Sequence, residues 1–471
     1  MVKDMTSGNP TKLILSFAVP MLIGNLFQQF YSMVDAIIVG RFIDVSALAA
    51  VGATGAMTFF VIGFSIGLTT GFSIIVSQRF GSGDEDGLRV SVTMSILLSI
   101  AVTIVLTVIS VLGARPLLEF MNTPADIIDD AYIYLVIVFA GNFSMVFYNL
   151  VSSILRALGD SKTPLYFLIL SSLINVVLDL VFIIYFSSGV AGAAYATVAS
   201  QAISFILCFI YMFAKFPILK LKRSDWKLNK DMVKELLRLG IPTALQNSVT
   251  AIGVMVLQTA INGLGSVKVA AYTAASKVEQ LATQPMMTFG MAMATYAGQN
   301  LGAGKIDRIR LGLRKCMKIS MISCVIAMVI VIFFGWLLTQ MFVSSTETEV
   351  IQLSQEYLTT IAFFFCVLGT LFIYRSTLQG IGNSAIPLLS GFMELVMRVV
   401  ASLILVYFFG FFGICIASPI AWIGGTVPLI IAYYRDMKRL AAAQELYDHP
   451  VGFDLQKQAE EIAAAEQDGS L

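Results

Sequence analysis

The stretch from Phe17-Ala18-Val19-Pro20 to Gln78-Arg79-Phe80-Gly81-Ser82-Gly83 returns later in the chain as the stretch from Leu239-Gly240-Ile241-Pro242 to Gln299-Asn300-Leu301-Gly302-Ala303-Gly304. The offset is 242 − 20 = 222 at the prolines and 299 − 78 = 221 at the glutamines, so one small gap aligns the copies. A further match, at an offset of 223, pairs Leu155-Arg156-Ala157-Leu158-Gly159-Asp160 with Leu378-Gln379-Gly380-Ile381-Gly382-Asn383. Two homologous halves in an apolar chain are typical of transporters that bind their substrates between or within the repeats.

The composition predicts a membrane protein with many spans. Of the 471 residues, 58% are hydrophobic and 13% are charged, whereas soluble domains carry about 25% charged residues. The net charge of +1 provides no basic field for nucleic acid. Phosphate-binding Gly-x4-Gly-Lys-Ser/Thr, His-Glu-x-x-His and Cys-x-x-Cys patterns are all absent from the sequence. We therefore expect no enzyme, no cofactor and no nucleic-acid partner.

Hydropathy predicts an all-α polytopic fold with twelve transmembrane helices, six in each half. Because each span needs roughly 17 to 25 residues, we place them at 13–38, 46–77, 91–113, 130–154, 164–186, 190–214, 239–262, 268–297, 313–337, 355–377, 387–409 and 412–434. An even number per half means that both halves enter the membrane from the same side, which makes them parallel repeats. The expected domains are an N-terminal segment 1–12, an N-lobe 13–214, a linker 215–238, a C-lobe 239–434 and a tail 435–471.

Basic residues predict the orientation, because cytoplasmic loops carry an excess of Lys and Arg. Three of the 30 fall in loops on one side (Arg41, Arg115 and Lys268) and two lie within spans (Lys277 and Arg398), which leaves 30 − 3 − 2 = 25 on the other side. We therefore expect both termini in the cytoplasm and a multi-pass protein of the cell inner membrane.

Ionisable residues inside spans are costly, from about 3 kcal/mol upward, and so become functional candidates. Helix 1 carries Gly24, Gln28, Tyr31 and Asp35 at steps of four, three and four, which places them on one face. In helix 5, Asn175 and Asp179 are four apart, so a carboxylate and an amide can converge on one cation. The alternative is structural, with protonated carboxyls that fix helix packing.

The second half offers weaker candidates. Glu394 and Arg398 are spaced i,i+4, so they form either a neutralising pair without a transport role or part of a functional site. Lys277 and Glu279 point to different faces, and Glu279 is a candidate for the cavity wall. We add Gln28, Tyr31, Gln280, Gln284 and Met286 as candidates for the substrate cavity. Flexible thioethers such as Met286 suit varied ligands, although a core or lipid-facing methionine is the competing interpretation.

Taken together, these motifs resemble one family over about residues 10–440. The repeat motifs, the segment Met33-Val34-Asp35-Ala36-Ile37-Ile38-Val39-Gly40 and the turns at Gly81 and Gly159 are similar to the multidrug and toxic compound extrusion (MATE) family, in particular its DinF-like prokaryotic branch. The resemblance implies a V-shaped pair of helical bundles that exports organic cations and amphipathic compounds in exchange for H+ or Na+. It also implies a coupling site for H+ or Na+ in the N-lobe, formed by Asp35, Asn175, Asp179 and Thr197.

The chain departs from other branches of the family, which place essential acids on helices 7 and 10. Residues 241–261 contain no Asp or Glu, and helix 10 has none after Glu356. We therefore expect coupling through the N-lobe, in a monomer that exports drugs or toxic metabolites across the bilayer. The alternatives are a flippase for lipid-linked oligosaccharides or other lipids, and a non-transporting receptor or scaffold.

Overall fold

The computed structural model describes residues 4–43, 45–121 and 123–446, and nearly all of them lie in helices. The first half contains α1 Pro10–Phe42, α2 Val45–Ser82, α3 Glu85–Phe120, α4 Ile128–Ala140, α5 Asn142–Ala157, α6 Lys162–Leu180 and α7 Gly189–Lys215. The second half contains α8 Lys230–Asn262, α9 Ser266–Gly302, α10 Ile306–Thr339, α11 Thr348–Ala362, α12 Phe365–Gly380, α13 Ala385–Phe409 and α14 Phe411–Leu446. A π-helical turn, Val181–Tyr185, follows α6, and short 3₁₀ helices at Pro217–Leu219 and Arg223–Trp226 lie between α7 and α8.

The repeat in the sequence is also a repeat of turn geometry. Gly83 and Gly304 follow α2 and α9 with φ of 73° and 69°, and Gly159 and Gly382 follow α5 and α12 with φ of 84° and 88°. Such left-handed conformations after a helix favour glycine, which has no Cβ to clash. These glycines therefore end corresponding helices in both halves.

Two predicted spans are broken, whereas the sequence indicated continuous helices at 130–154 and 355–377. Helices α4 and α5 meet at 48°, and α11 and α12 meet at 53°. The breaks lie at Gly141 and Phe364, whose ψ angles of 3° and 4° interrupt the α-helical hydrogen-bond ladder. Since 364 − 141 = 223, the breaks occupy equivalent positions in the two halves.

The predicted all-α polytopic fold is confirmed. Within the described part of the chain, nine helices are long and apolar enough to cross a membrane, and the two bent pairs raise this number to eleven. Helix α9, with 37 residues, supplies the twelfth span, although it falls outside that apolar set.

The described chain divides into two compact units. The first unit comprises residues 23–80 and 84–244, and the second comprises residues 4–22, 81–83 and 245–446. The start of α1 therefore belongs to the second unit and the start of α8 to the first. The lobes expected from the sequence, residues 13–214 and 239–434, do not include this exchange. The exchange points, after Leu22 and Ala244, are 222 residues apart, which is the offset of the two prolines.

Close helix packing holds α8 in the first unit. A Cβ on Gly67 of α2 would lie 2.6 Å from the Ala244 Cα, and one on Gly71 would lie 2.5 Å from the Gly240 Cα. Small residues four apart let two helix backbones approach in this way. Leu68 and Phe72, which are almost fully buried beside these glycines, belong to the unit's apolar core.

An N-terminal strap, residues 4–8, packs on the second unit. The Met5 side chain is fully buried in the core, and its backbone N donates to Gln299 Oε1 at 2.9 Å. The Met5 carbonyl accepts from Asn300 Nδ2 at 3.1 Å and from Arg308 Nη2 at 3.2 Å. Lys305 Nζ donates to the Thr6 carbonyl at 2.9 Å. The strap therefore anchors the start of α1 to the turn between α9 and α10.

Candidate functional site

Helices α1 and α6 bring two carboxyl groups together inside the first unit. The carboxyls of Asp35 on α1 and Asp179 on α6 lie within hydrogen-bonding reach of each other. Beside them, the Tyr31 hydroxyl donates to Asn175 Oδ1. The structure thus joins four residues that the sequence singled out, although they are about 140 positions apart in the chain.

The local sequence of α6 explains why its polar groups point inward. Ser171, Ser172, Asn175 and Asp179 are all buried and share one side of the helix, and Asp179 is fully buried. Helix α6 ends at Leu180, and the chain continues as the π turn. Insertions of this kind often mark functional sites because they locally rearrange the backbone hydrogen bonds of a helix.

Beside the predicted Thr197, two further polar residues, Tyr134 and Gln201, belong to this region, and sequence reasoning missed these two. The half-buried Tyr134 of α4 is close enough to interact electrostatically with both Asp35 and Asp179. On α7, Thr197 donates its hydroxyl to the Ala193 carbonyl at 3.0 Å. Gln201, one turn beyond Thr197, has a buried Oε1 with no hydrogen-bond donor among the described residues. A tyrosine in an apolar run has no periodicity that distinguishes it from a core aromatic residue.

This arrangement can hold a small cation or a proton. Two carboxyls in contact cannot both carry a charge unless a cation or a proton lies with them. Asp35 Oδ1 is buried and has no hydrogen-bond donor in the described residues, so it retains the capacity to accept one. Carboxylate, amide and phenol oxygens are hard ligands of the kind that alkali cations prefer. The side chains of this site therefore have the chemistry to hold Na+ or a proton.

The second unit has a smaller polar cluster around Glu279 of α9. Its Oε2 accepts from the Tyr357 hydroxyl at 2.8 Å, and Tyr357 meets the Tyr272 ring edge-on at 5.3 Å between centroids. Arg398 of α13 interacts electrostatically with Glu279. A Cβ on Gly253 of α8 would lie 2.8 Å from Arg398 Nη1, so this glycine leaves room for the guanidinium group.

Helix α9 also presents a polar stripe on its exposed side. Its members recur at steps of four, three, four and three, which is one face of a helix; they are Thr273, Lys277, Gln280, Gln284 and Met287. Four of them are exposed, and Gln284 is half-buried. Charged and amide side chains are not stable against lipid tails, so in a membrane this face lines water or protein.

The MatE family model matches residues 20–181 and again residues 242–404, once in each half. The chain belongs to the MATE family. The two matches reproduce the internal repeat, and the first of them contains Asp35, Asn175 and Asp179.

Relatives of this MATE protein have names that refer to multidrug resistance or to transport. It is 32% identical over 383 residues to "Probable multidrug resistance protein YpnP" of Bacillus subtilis, covering 80% of this chain and 84% of that one. It is 23% identical over 416 residues to "FAD transporter" of Shewanella oneidensis, covering 87% and 91%. Among solved structures, an outward-facing multidrug resistance MATE transporter of the MOP superfamily matches with a TM-score of 0.86 and 25% identity over 93% of this chain and 98% of that chain.

Two candidates in the second half of the MATE fold have surroundings that favour the structural alternatives. Glu394 does not pair with Arg398; its Oε1 accepts from Arg375 Nη2, and both side chains are 7% exposed. Sequence reasoning assigned Arg375 to the cytoplasmic end of a span and so missed this partner, which α12 places beside α13. Met286 is fully buried in the core of the second unit, because it lies on the opposite side of α9 from the exposed stripe. It is therefore a packing residue and not part of a cavity wall.

Proposed function

We propose that this protein is a secondary active antiporter that exports amphipathic compounds, organic cations above all, in exchange for H+ or Na+. The contact between the Asp35 and Asp179 carboxyls carries this proposal, since it forms a buried acidic site that a cation or proton neutralises. Tyr31, Asn175 and Thr197 complete the proposed coupling site. The two broken helix pairs and the exchanged segment of α1 provide elements whose geometry ion binding can change.

Coupling requires that the ion and the drug favour different conformations or exclude each other, because a ligand with equal affinity for both states shifts nothing. In this cycle the first-unit carboxyls take up the ion from outside, and the protein then releases bound drug outward. Return of the ion to the cytoplasm prepares the transporter for the next drug molecule. Alternating access of this kind needs no cofactor.

The test is efflux of a fluorescent cationic dye from proteoliposomes that contain the purified protein, with Na+ and pH gradients imposed separately. The wild type should respond to one gradient, which identifies the ion. Asp35→Asn and Asp179→Asn should each abolish gradient-driven efflux while the protein remains folded and present. Ser172→Ala, a buried hydroxyl on the same side of α6, is the matched control and should retain transport. Normal efflux by both Asn variants would refute the coupling role.

We propose the exposed stripe of α9 as one wall of the drug cavity. Gln280 and Gln284 supply amides, and Met287 supplies an adaptable thioether in place of the buried Met286. Glu279, held by Tyr357, contributes a carboxyl near this wall. On α1, the exposed Gln28 precedes Tyr31 by one turn and is the corresponding candidate in the first unit.

Location and assembly complete the proposal. The bias of Lys and Arg supports cytoplasmic placement of both termini, in a multi-pass protein of the cell inner membrane. The first unit holds the whole proposed coupling site, so a monomer suffices for transport. Lobes at residues 13–214 and 239–434, joined by residues 215–238, remain the proposed functional division, with exchanged first turns in α1 and α8.

Anionic compounds are a second candidate substrate class, and Lys277 favours it. This lysine is exposed on the α9 stripe, and no ion pair engages it within the described residues. A relative is named as an FAD transporter, and a flippase for lipid-linked diphosphates would use the same positive charge. Lys277→Glu should reduce efflux of an anionic dye and increase that of a cationic dye, while Lys277→Gln gives intermediate rates. Equal effects on both dyes would exclude a role for this charge in selectivity.

A further inference from the structure

A basic cavity lies between α10 and α14 in the second unit, apart from the proposed coupling and drug sites. Its volume is about 530 Å³, and its polar lining consists of Arg310, Arg314, Tyr433, Tyr434 and Lys438. Tyr433 is buried against Tyr374 with 5.2 Å between ring centroids, whereas Tyr434 is 63% exposed. Three cations and two phenols thus converge on one opening.

The cavity lies where both helices change from polar to apolar. In α10 the basic residues end at Lys318, and an apolar run follows to Leu338. In α14 an apolar run ends at Tyr434, and charged residues begin at Arg435. In a membrane this level is the lipid–water interface, where tyrosines and basic side chains concentrate.

Comparison with the equivalent position in the first half shows that the two halves treat the positive charge of Arg310 differently. At an offset of 221, Arg310 corresponds to Arg89 of α3. Arg89 is 8% exposed and is surrounded by three carboxylates; it pairs with Asp86, with Glu85 at 3.6 Å and with Asp225 at 3.6 Å. The first half therefore neutralises its arginine completely.

In the second half most of that neutralisation is missing. Ile306 replaces Glu85, and among the described residues the one carboxylate that pairs with Arg310 is Asp307, which is 97% exposed and 3.5 Å away. Arg310 Nη2 instead donates to the Met437 carbonyl at 3.1 Å, which turns the guanidinium toward α14. Within the described residues, no ion pair engages Arg314 or Lys438.

Asp436, the acidic residue of α14 next to the cavity, has its hydrogen-bond and ion-pair partners outside the cavity. Asp436 Oδ2 accepts from Asn383 Nδ2 at 2.6 Å, and its Oδ1 pairs with Arg435 at 3.2 Å. Arginine and lysine near a membrane surface attract anionic lipids, and basic pockets between transmembrane helices bind their headgroups. Arginine is also well suited to phosphate because its planar fork donates two parallel hydrogen bonds.

We propose that this cavity binds a phosphate group, carried by an anionic phospholipid of the surrounding leaflet. Arg310, Arg314 and Lys438 contact the phosphate oxygens, and the exposed Tyr434 ring packs against the glycerol and upper acyl chain. The lipid then bridges α10 and α14. The cavity is thus a lipid site of the second unit, independent of which compound the protein exports.

Native mass spectrometry of the purified full-length protein tests this proposal, with phosphatidylglycerol or phosphatidylcholine added in detergent. The wild type should bind phosphatidylglycerol in preference to phosphatidylcholine. The double variant Arg314→Gln/Lys438→Gln should bind phosphatidylglycerol at least about tenfold more weakly, since it removes two of the three cations. Lys315→Gln/Lys318→Gln removes the same charge from exposed positions of α10 outside the cavity, and it should bind like the wild type.

Three outcomes would overturn the proposal. Equal loss of phosphatidylglycerol in both double variants would show a diffuse surface charge effect and no site. Equal binding of phosphatidylglycerol and phosphatidylcholine would show that the cavity does not select an anion. Displacement of the lipid by inorganic phosphate at equal concentration would identify a soluble phosphate, and not a phospholipid, as the source of the anion.

Discussion

Arg375 and Glu394 form a buried ion pair that joins α12 to α13, and its loss has a predictable cost. Arg375→Met leaves the Glu394 charge in a site where it is 7% exposed. Removal of one partner from a buried pair costs about 3–5 kcal/mol, because the remaining charge is uncompensated. We expect a clear drop in the midpoint of thermal unfolding in detergent.

Two variants separate loss of the pair from loss of packing. The double variant Arg375→Met/Glu394→Leu removes both charges and should recover most of the stability. Arg115→Gln breaks exposed pairs with Glu119 and Asp129 and should leave the midpoint of thermal unfolding nearly unchanged. If the double variant is as unstable as Arg375→Met, the uncompensated charge is not the cause.

Tyr31 orients the amide of Asn175 at the proposed coupling site. Tyr31→Phe removes this hydrogen bond, which is worth about 0.5–1.5 kcal/mol. We expect the apparent affinity for the coupling ion to fall about three- to tenfold, measured as the dependence of dye efflux on ion concentration. Ser32→Ala, which removes an exposed hydroxyl bonded to the Gln28 carbonyl of the same helix, should leave that dependence unchanged. An equal shift in both variants would contradict a specific role for Tyr31.

At the scale of single residues, the sequence predicted members of the site only where the residue type is rare within a membrane span. An acid in a span is costly, so Asp35 and Asp179 stood out. Helical spacing grouped Asp35 with Tyr31 and Asp179 with Asn175, whereas the expectation that these two pairs form one site came from the resemblance to the MATE family. Tyr134 did not stand out, because a tyrosine fits the core, the interface and a cavity equally well. Arg375 was missed because hydropathy gives the end of a span only to within a few residues, and its partner Glu394 lies on another helix.

At the scale of elements, a single glycine, Gly141, permits the break between α4 and α5. A Cβ on Gly141 would lie 2.4 Å from a methyl carbon of Val198 on α7, closer than carbon atoms approach. Gly141→Ala should therefore cost about 1–3 kcal/mol through overpacking and should slow transport. Thermal unfolding and dye efflux measure the two effects.

Val198→Ala provides the matched test of this explanation. The smaller side chain opens the space that an alanine at 141 needs, so the double variant Gly141→Ala/Val198→Ala should regain stability relative to Gly141→Ala. If it does not, the glycine serves the backbone conformation of the break and not the contact with α7.

The N-terminal strap is the second element with a testable contact. Arg308 donates to the carbonyls of Met5 and Gly8 and to Asn300 Oδ1. Arg308→Ala removes all three hydrogen bonds, so a spin label at Ser7 should become more mobile, whereas Lys315→Ala on the same helix should leave it immobile. An immobile label in Arg308→Ala would show that burial of Met5 alone holds the strap.

Acid should loosen the same strap. Partial burial opposes ionisation of Asp4, but hydrogen bonds from Thr6 and Ser7, with the charge of Lys305, outweigh it and hold the pKa of this carboxyl below its ordinary value. A lowered pKa means that the contribution to stability is present above the unfolded value of about 3.9 and is lost as the pH falls through the folded value. In the protein labelled at position 7 the Ser7 hydrogen bond is absent, but Thr6 and Lys305 still lower this pKa. Spin-label mobility should therefore be constant from pH 7 to 5 and rise only below about pH 4.

The sequence predicted the existence of the helices but not their breaks. Hydropathy reports how many consecutive residues are apolar, and residues 130–154 and 355–377 satisfy that criterion whether or not the helix bends. The bend at Gly141 depends on Val198 of another helix, and no local pattern encodes such a contact. The exchange of the first turns of α1 and α8 is likewise a property of tertiary packing.

At the scale of the whole molecule, the two halves share one fold but differ in the surroundings of their acidic residues. In the first unit the carboxyls of Asp35 and Asp179 lie in contact with each other, whereas the acids of the second unit are engaged by other side chains, Glu394 by Arg375 and Glu279 by Tyr357. Duplication therefore supplied the fold twice, and substitution placed the acidic pair in one copy alone.

This asymmetry predicts different consequences for acids in the two units. Asp35→Asn should remove the response to the ion gradient, since the remaining carboxyl no longer shares an ion. Glu279→Gln keeps an acceptor for the Tyr357 hydroxyl, so it should change the apparent affinity for dye by no more than about tenfold while the gradient still drives efflux. Proteoliposomes under imposed Na+ and pH gradients measure both quantities. If Glu279→Gln abolishes the response to the gradient and Asp35→Asn does not, the second unit couples efflux to the ion gradient, and the proposal of coupling through the first unit is wrong.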